Sequence, residues 1–136
     1  MVTFEEFGDI VDEITATMPE EFFRELNGGV FVRESLRLHP EGRNGDLVIM
    51  GEYCVRYDLG RFIILYYGSF EKVHGYLPEE RLRKEIRRVI LHEFRHHLES
   101  LAGERDLEIE DALTLARYKE GLHSQEGQAI IADRNQ

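Results

Sequence analysis

The residues with the plainest chemical potential lie in Val89–Leu98, which reads Val-Ile-Leu-His-Glu-Phe-Arg-His-His-Leu. His92 and His96 are four apart, so on an α-helix they stand one turn apart on the same face. Two imidazoles at that spacing can hold one metal ion. Zinc is the usual partner of neutral imidazole nitrogen, at about 2.0–2.1 Å. Glu93 follows the first histidine directly and is placed to act as a general base toward water on the ion, whose pKa falls to about 7 on zinc.

Such residues also occur on solvated helix faces, and 32% of this chain is charged. The surroundings argue for a site. Val89, Ile90 and Leu91 lead into the motif as an apolar run, and three of the six histidines fall within six residues. Imidazoles on a buried turn need partners. His97 points about 100° round the helix from His96, which suits a core or supporting role rather than a share of the same ion.

A catalytic zinc site takes three protein ligands and leaves one position open. The third ligand is expected just beyond Gly103, where the chain can turn back. The acids there are Glu104, Asp106, Glu108, Glu110 and Asp111. Tyr53, Tyr66 and Tyr67 are candidate hydroxyl donors to a developing oxyanion.

The helix that must carry the motif starts near Pro78, with Glu79 and Glu80 in its first turn. Its apolar positions are Leu82, Ile86, Val89–Leu91, Phe94, Leu98 and Leu101, and Gly103 ends it. Upstream, Thr3 and Glu6 form a capping box for an amphipathic helix to Met18. Pro19, Glu20 and Glu21 open a second, short helix that Asn27-Gly28-Gly29 stops. Val30–Leu38, Leu47–Arg56 and Arg61–Tyr67 read as strands, the last the strongest. It is a candidate edge for pairing with an extended peptide. Residues 68–76 read as a loop with a short strand at Phe70–Val73, which leaves His74 on the surface. Leu107–Tyr118 reads as a closing helix, and residues 120–136 as a polar tail, frayed or partly helical. The expectation is one α+β domain over residues 1–119, with N-terminal helices, a small sheet of three or four mostly antiparallel strands, the long motif helix and a C-terminal helix.

The chain has 136 residues and a formal charge of −10, which argues against nucleic acid and anionic membrane as main partners. The single Cys54 cannot form an internal disulfide and reads as a small buried hydrophobe. No apolar stretch reaches the length of a membrane span, and the acidic N-terminus is unlike a secretory leader, so the expected location is the cytoplasm.

Phe4-Glu5-Glu6-Phe7, Met18-Pro19-Glu20-Glu21-Phe22 and the Val89–Leu98 motif together resemble the minimal zincin family of small bacterial metallopeptidases. The resemblance spans about residues 4 to 115. It implies a minimal zincin-like fold, bound zinc, and hydrolysis of a peptide or protein substrate by metal-bound water with Glu93 as general base. The family pattern is His-Glu-x-x-His-x-x-Gly-x-x-Asp, its last Asp a ligand. Here Gly103-Glu104-Arg105-Asp106 keeps the Gly-x-x-Asp spacing but arrives four residues late. On the resemblance Asp106 is the third ligand beside His92 and His96, with Glu110 and Asp111 as alternatives. The competing expectation is a non-catalytic metal-binding or regulatory protein that retains the fold.

Overall fold

The computed structural model describes residues 1–102 and 107–123, and the side chains of Leu107, Glu108 and His123 are outside that description. The elements run α1 (Phe4–Thr15), a 3₁₀ turn (Glu20–Phe23), β1 (Gly29–Arg33), β2 (Gly51–Arg56), β3 (Gly60–Tyr66), α2 (Tyr67–His74), α3 (Glu79–Ala102) and α4 (Leu107–His123). The class is α+β, as the sequence predicts. α1 carries the expected capping box: the Glu6 amide donates to Thr3 Oγ1 at 3.1 Å, and the Thr3 amide donates to Glu6 Oε1 at 2.8 Å. Phe7, Ile10, Val11 and Ile14 are its buried face.

The three strands form a mixed sheet in the order β1-β3-β2. β2 and β3 are an antiparallel hairpin, and Gly60 takes the left-handed conformation (φ 72°) that closes its turn. β1 pairs with β3 in parallel, so the expected antiparallel pairing holds for one ladder of the two. β3 lies in the middle of the sheet. Its backbone is paired on both sides, which overturns its reading as a docking edge; the outer strands are β1 and β2.

β1 stops at Arg33, short of the predicted Leu38. Residues 34–37 turn to meet the start of α2: the Gly68 amide donates to Glu34 O, and the Arg37 amide to Ser69 Oγ. A Cβ at Gly68 would lie 2.5 Å from the Leu36 amide nitrogen, so only glycine permits that approach. The segment predicted as loop and short strand is the helix α2. Glycine and serine disfavour helix there, but Tyr67 and Phe70 are spaced to share a face. Both pack on Phe7, with ring centroids 5.4 and 5.2 Å away. Tertiary packing overrides propensity.

α3 runs through the centre of the molecule. Leu82, Ile86, Ile90, Phe94, Leu98 and Leu101 are all buried on it, against α1, the sheet, the 3₁₀ turn and α4. Phe94 meets Phe22 and Phe23 at 5.6 and 5.1 Å. α4 packs Ile109, Ala112, Leu113 and Ala116 inward and continues past the predicted Tyr118 to His123. Arg117 meets Glu99 while Glu120 meets Arg95, so α4 runs antiparallel to α3.

Candidate metal centre

α3 delivers the two motif histidines as the four-residue spacing requires. Their rings lie edge to face with centroids 4.7 Å apart, and His92 Nε2 is 3.2 Å from His96 Nε2. Two ligands at 2.0–2.1 Å on adjacent corners of a tetrahedron lie about 3.3 Å apart. The pair therefore presents two nitrogens at the separation that one zinc ion requires.

Each imidazole has a carboxylate behind it. Glu120 Oε2 lies 2.7 Å from His92 Nδ1, and Glu99 Oε1 lies 3.6 Å from His96 Nδ1. Arg95 and Arg117 tie these acids together. Arg95 Nε donates to Glu120 Oε1 at 2.5 Å and Nη1 to Glu99 Oε1 at 3.1 Å, and Arg117 Nη2 meets Glu99 Oε2 at 3.3 Å. Hydrogen bonds and charge from His92 and Arg95 hold the Glu120 carboxyl below its ordinary range, against the opposing pull of burial.

Glu93 is fully buried where α3 crosses β2. A Cβ at Gly51 would sit 3.3 Å from Glu93 Cγ, so the missing side chain at Gly51 makes room for the base.

His97 takes no part in the pair. It is buried between Tyr53 and the 3₁₀ turn: Nε2 is 2.7 Å from Arg24 O and Nδ1 is 3.0 Å from Tyr53 Oη. The carbonyl can only accept, so Nε2 carries the proton and Nδ1 accepts from Tyr53, which in turn accepts from Arg61 Nη1 at 2.8 Å. Burial pushes the His97 pKa down to about 4.

The other described candidates have partners or surroundings of their own. Tyr66 Oη donates to Glu52 and Tyr67 Oη to Val2 O, while Tyr53 is engaged as above, so each of the three hydroxyls has a partner elsewhere. Cys54 is half-buried on the opposite face of the sheet from α3, beside Phe62, Ile64 and Tyr66. His74 is buried rather than on the surface, with Nε2 3.4 Å from Glu85 Oε1. Glu110 and Asp111 are exposed, and Asp111 lines a groove with Glu20, Phe23 and Leu115. Asp106 and Glu104 lie outside the described residues. Among the described residues, no three His, Cys, Asp or Glu side chains group to hold a metal.

Glu120 is the residue beside the histidine pair that sequence reasoning missed. The inward positions of α4 run Ile109, Ala112, Leu113, Ala116; the next member of that series is Glu120, an acid on a packing face. That offset was the available signal.

A small sheet packs across a central helix that pairs two imidazoles and buries a carboxylate. Residues 48–115 match the family model described as zincin-like metallopeptidase, and the chain belongs to that family. A solved structure described as a conserved hypothetical protein from Thermo thermophilus is 38% identical, with a TM-score of 0.65 over 76% of this chain and 100% of that one. No match was found among curated proteins. Among the described residues, no helix is long and apolar enough to cross a membrane.

Proposed function

We propose that the protein is a zinc-dependent peptidase. The observation that carries this reading is the 3.2 Å separation of His92 Nε2 and His96 Nε2, which suits a shared zinc ion. Their Nδ1 atoms face carboxylates, an arrangement that favours Nε2 as the metal-binding nitrogen of each ring. Asp106 is proposed as the third protein ligand, from the family pattern.

Bound there, zinc supplies Lewis-acid polarisation of a carbonyl and acidifies water. The remaining work falls to the chain. Glu93, set beside the first ligand and excluded from solvent, receives a proton at its carboxylate and passes it to the leaving amine. β2, an outer strand crossing α3 at Gly51, is where an extended peptide would lie.

The test is Glu93→Gln in zinc-reconstituted protein, scored by mass spectrometry of a peptide library. The variant is expected to keep its zinc and to cleave about 10²- to 10⁴-fold more slowly, the usual contribution of a general base. Equal cleavage by parent and variant would refute the assignment.

A further inference from the structure

The strongest unassigned group at the site is Glu120, which lies on α4 five residues beyond the end of the family match at residue 115. We propose that Glu120 is a positioning residue that fixes the tautomer of His92, so that the C-terminal turn of α4 is part of the metal centre. The proposal rests on the reading of His92 as a ligand through Nε2.

The geometry divides the carboxylate between two tasks. Oε2 faces His92 Nδ1 at 2.7 Å, and Oε1 takes the Arg95 Nε proton. An ionised carboxylate only accepts, so its 2.7 Å partner must be Nδ1–H. That leaves the lone pair of His92 on Nε2, where an ion can use it. Arg95 is held in turn by Glu99, which keeps the Glu120 rotamer from swinging away.

Arg95 makes the role more than structural. Its Nη2 lies 3.2 Å from His92 Nδ1, and a guanidinium only donates. With Glu120 present, the shorter contact to the carboxylate decides where the proton sits. With Glu120 removed, the Arg95 guanidinium stays beside Nδ1 as a donor. It would draw the lone pair to Nδ1 and send the proton to Nε2, the atom that must stay bare to bind a metal. Glu120 therefore opposes a bias that Arg95 builds into the site.

The experiment uses long-range ¹H–¹⁵N correlation spectra of the metal-free full chain, at a pH where free histidine is neutral, with zinc affinity measured by chelator competition. The parent is expected to show His92 as the Nδ1–H tautomer. Glu120→Ala is expected to move it toward Nε2–H and to weaken zinc binding about 10- to 100-fold, the usual effect of losing such a partner. Glu120→Ala/Arg95→Ala is expected to recover part of that affinity, which a merely structural role would not do. An Nε2–H tautomer in the parent overturns the proposal without any variant, should Glu120→Ala fail to fold. An unchanged tautomer in Glu120→Ala overturns it too, and leaves zinc binding standing if the parent binds the ion. If the parent binds no zinc but the tautomer still shifts, Glu120 keeps its positioning role and the peptidase reading fails.

Discussion

Gly51→Ala is a one-carbon perturbation placed where β2 touches the motif helix. The new Cβ would stand 2.9 Å from Val89 Cγ1, 3.3 Å from Glu93 Cγ and 3.3 Å from Ile64 O. Apolar carbons rest at about 3.5–4.0 Å, so the contact to Val89 is too short by roughly 0.6–1 Å. Val89 cannot yield by rotating, because a β-branched side chain in a helix has one strongly preferred rotamer. Ile64 O belongs to the backbone of the central strand and is no more mobile. The strand and helix must therefore separate, and overpacking of this kind costs about 1–3 kcal/mol. For a chain of this size that corresponds to a fall in Tm of roughly 4–15 °C. Glycine-to-alanine changes at compatible sites instead stabilise by about 0.4–1 kcal/mol, so the sign is diagnostic. Gly121 is the control: a Cβ there meets nothing within 4 Å among the described residues, and Gly121→Ala is expected not to lower the Tm. Thermal melts of both variants followed by circular dichroism make the test. A Gly51→Ala protein as stable as the parent would refute the packing of Glu93 against β2.

His97 supplies a prediction in pH. Its folded pKa, about 4, lies below the ordinary histidine value of 6.5, so between those values the unfolded chain binds the extra proton and stability rises with pH. The contribution is complete above about pH 6.5 and is lost as pH falls toward 4. The shift is worth about 3 kcal/mol. Urea unfolding at about pH 7 and about pH 4.5 should show His97→Gln losing less stability than the parent across that interval; equal losses would contradict the buried neutral imidazole. Tyr53→Phe takes away the donor to His97 Nδ1 and is expected to cost about 1–3 kcal/mol near neutral pH in the same assay. A neutral effect would mean the Arg61–Tyr53–His97 chain is not formed.

What could be read from the sequence follows from how local each signal is. α3 is legible because its apolar positions repeat at helical spacing along its whole length, and the His92–His96 geometry follows directly from that helix. The capping box at Thr3 is equally local. Sheet order is not, since a strong apolar strand such as β3 looks the same at an edge or in the centre. Its parallel partner β1 lies far upstream, with β2 between them in the chain. α2 is hidden because eight residues with Gly68 and Ser69 have little intrinsic helical preference and fold against Phe7. Glu120 is hidden because its partner His92 is 28 residues away and only the antiparallel return of α4 brings them together. The buried place of His74 depends in the same way on Glu85, from a different helix.

That His92 and His96 share one metal ion is the central claim, and X-ray absorption at the zinc edge addresses it directly. The sample is untagged protein reconstituted with one equivalent of zinc, and the measurement is repeated on His92→Ala. Stoichiometric zinc is expected, with two imidazole nitrogens and oxygen ligands near 2.0–2.1 Å, and the bound ion is expected to be lost in the variant. Less than about half an equivalent of zinc in the parent, or the same coordination in parent and His92→Ala, would contradict it.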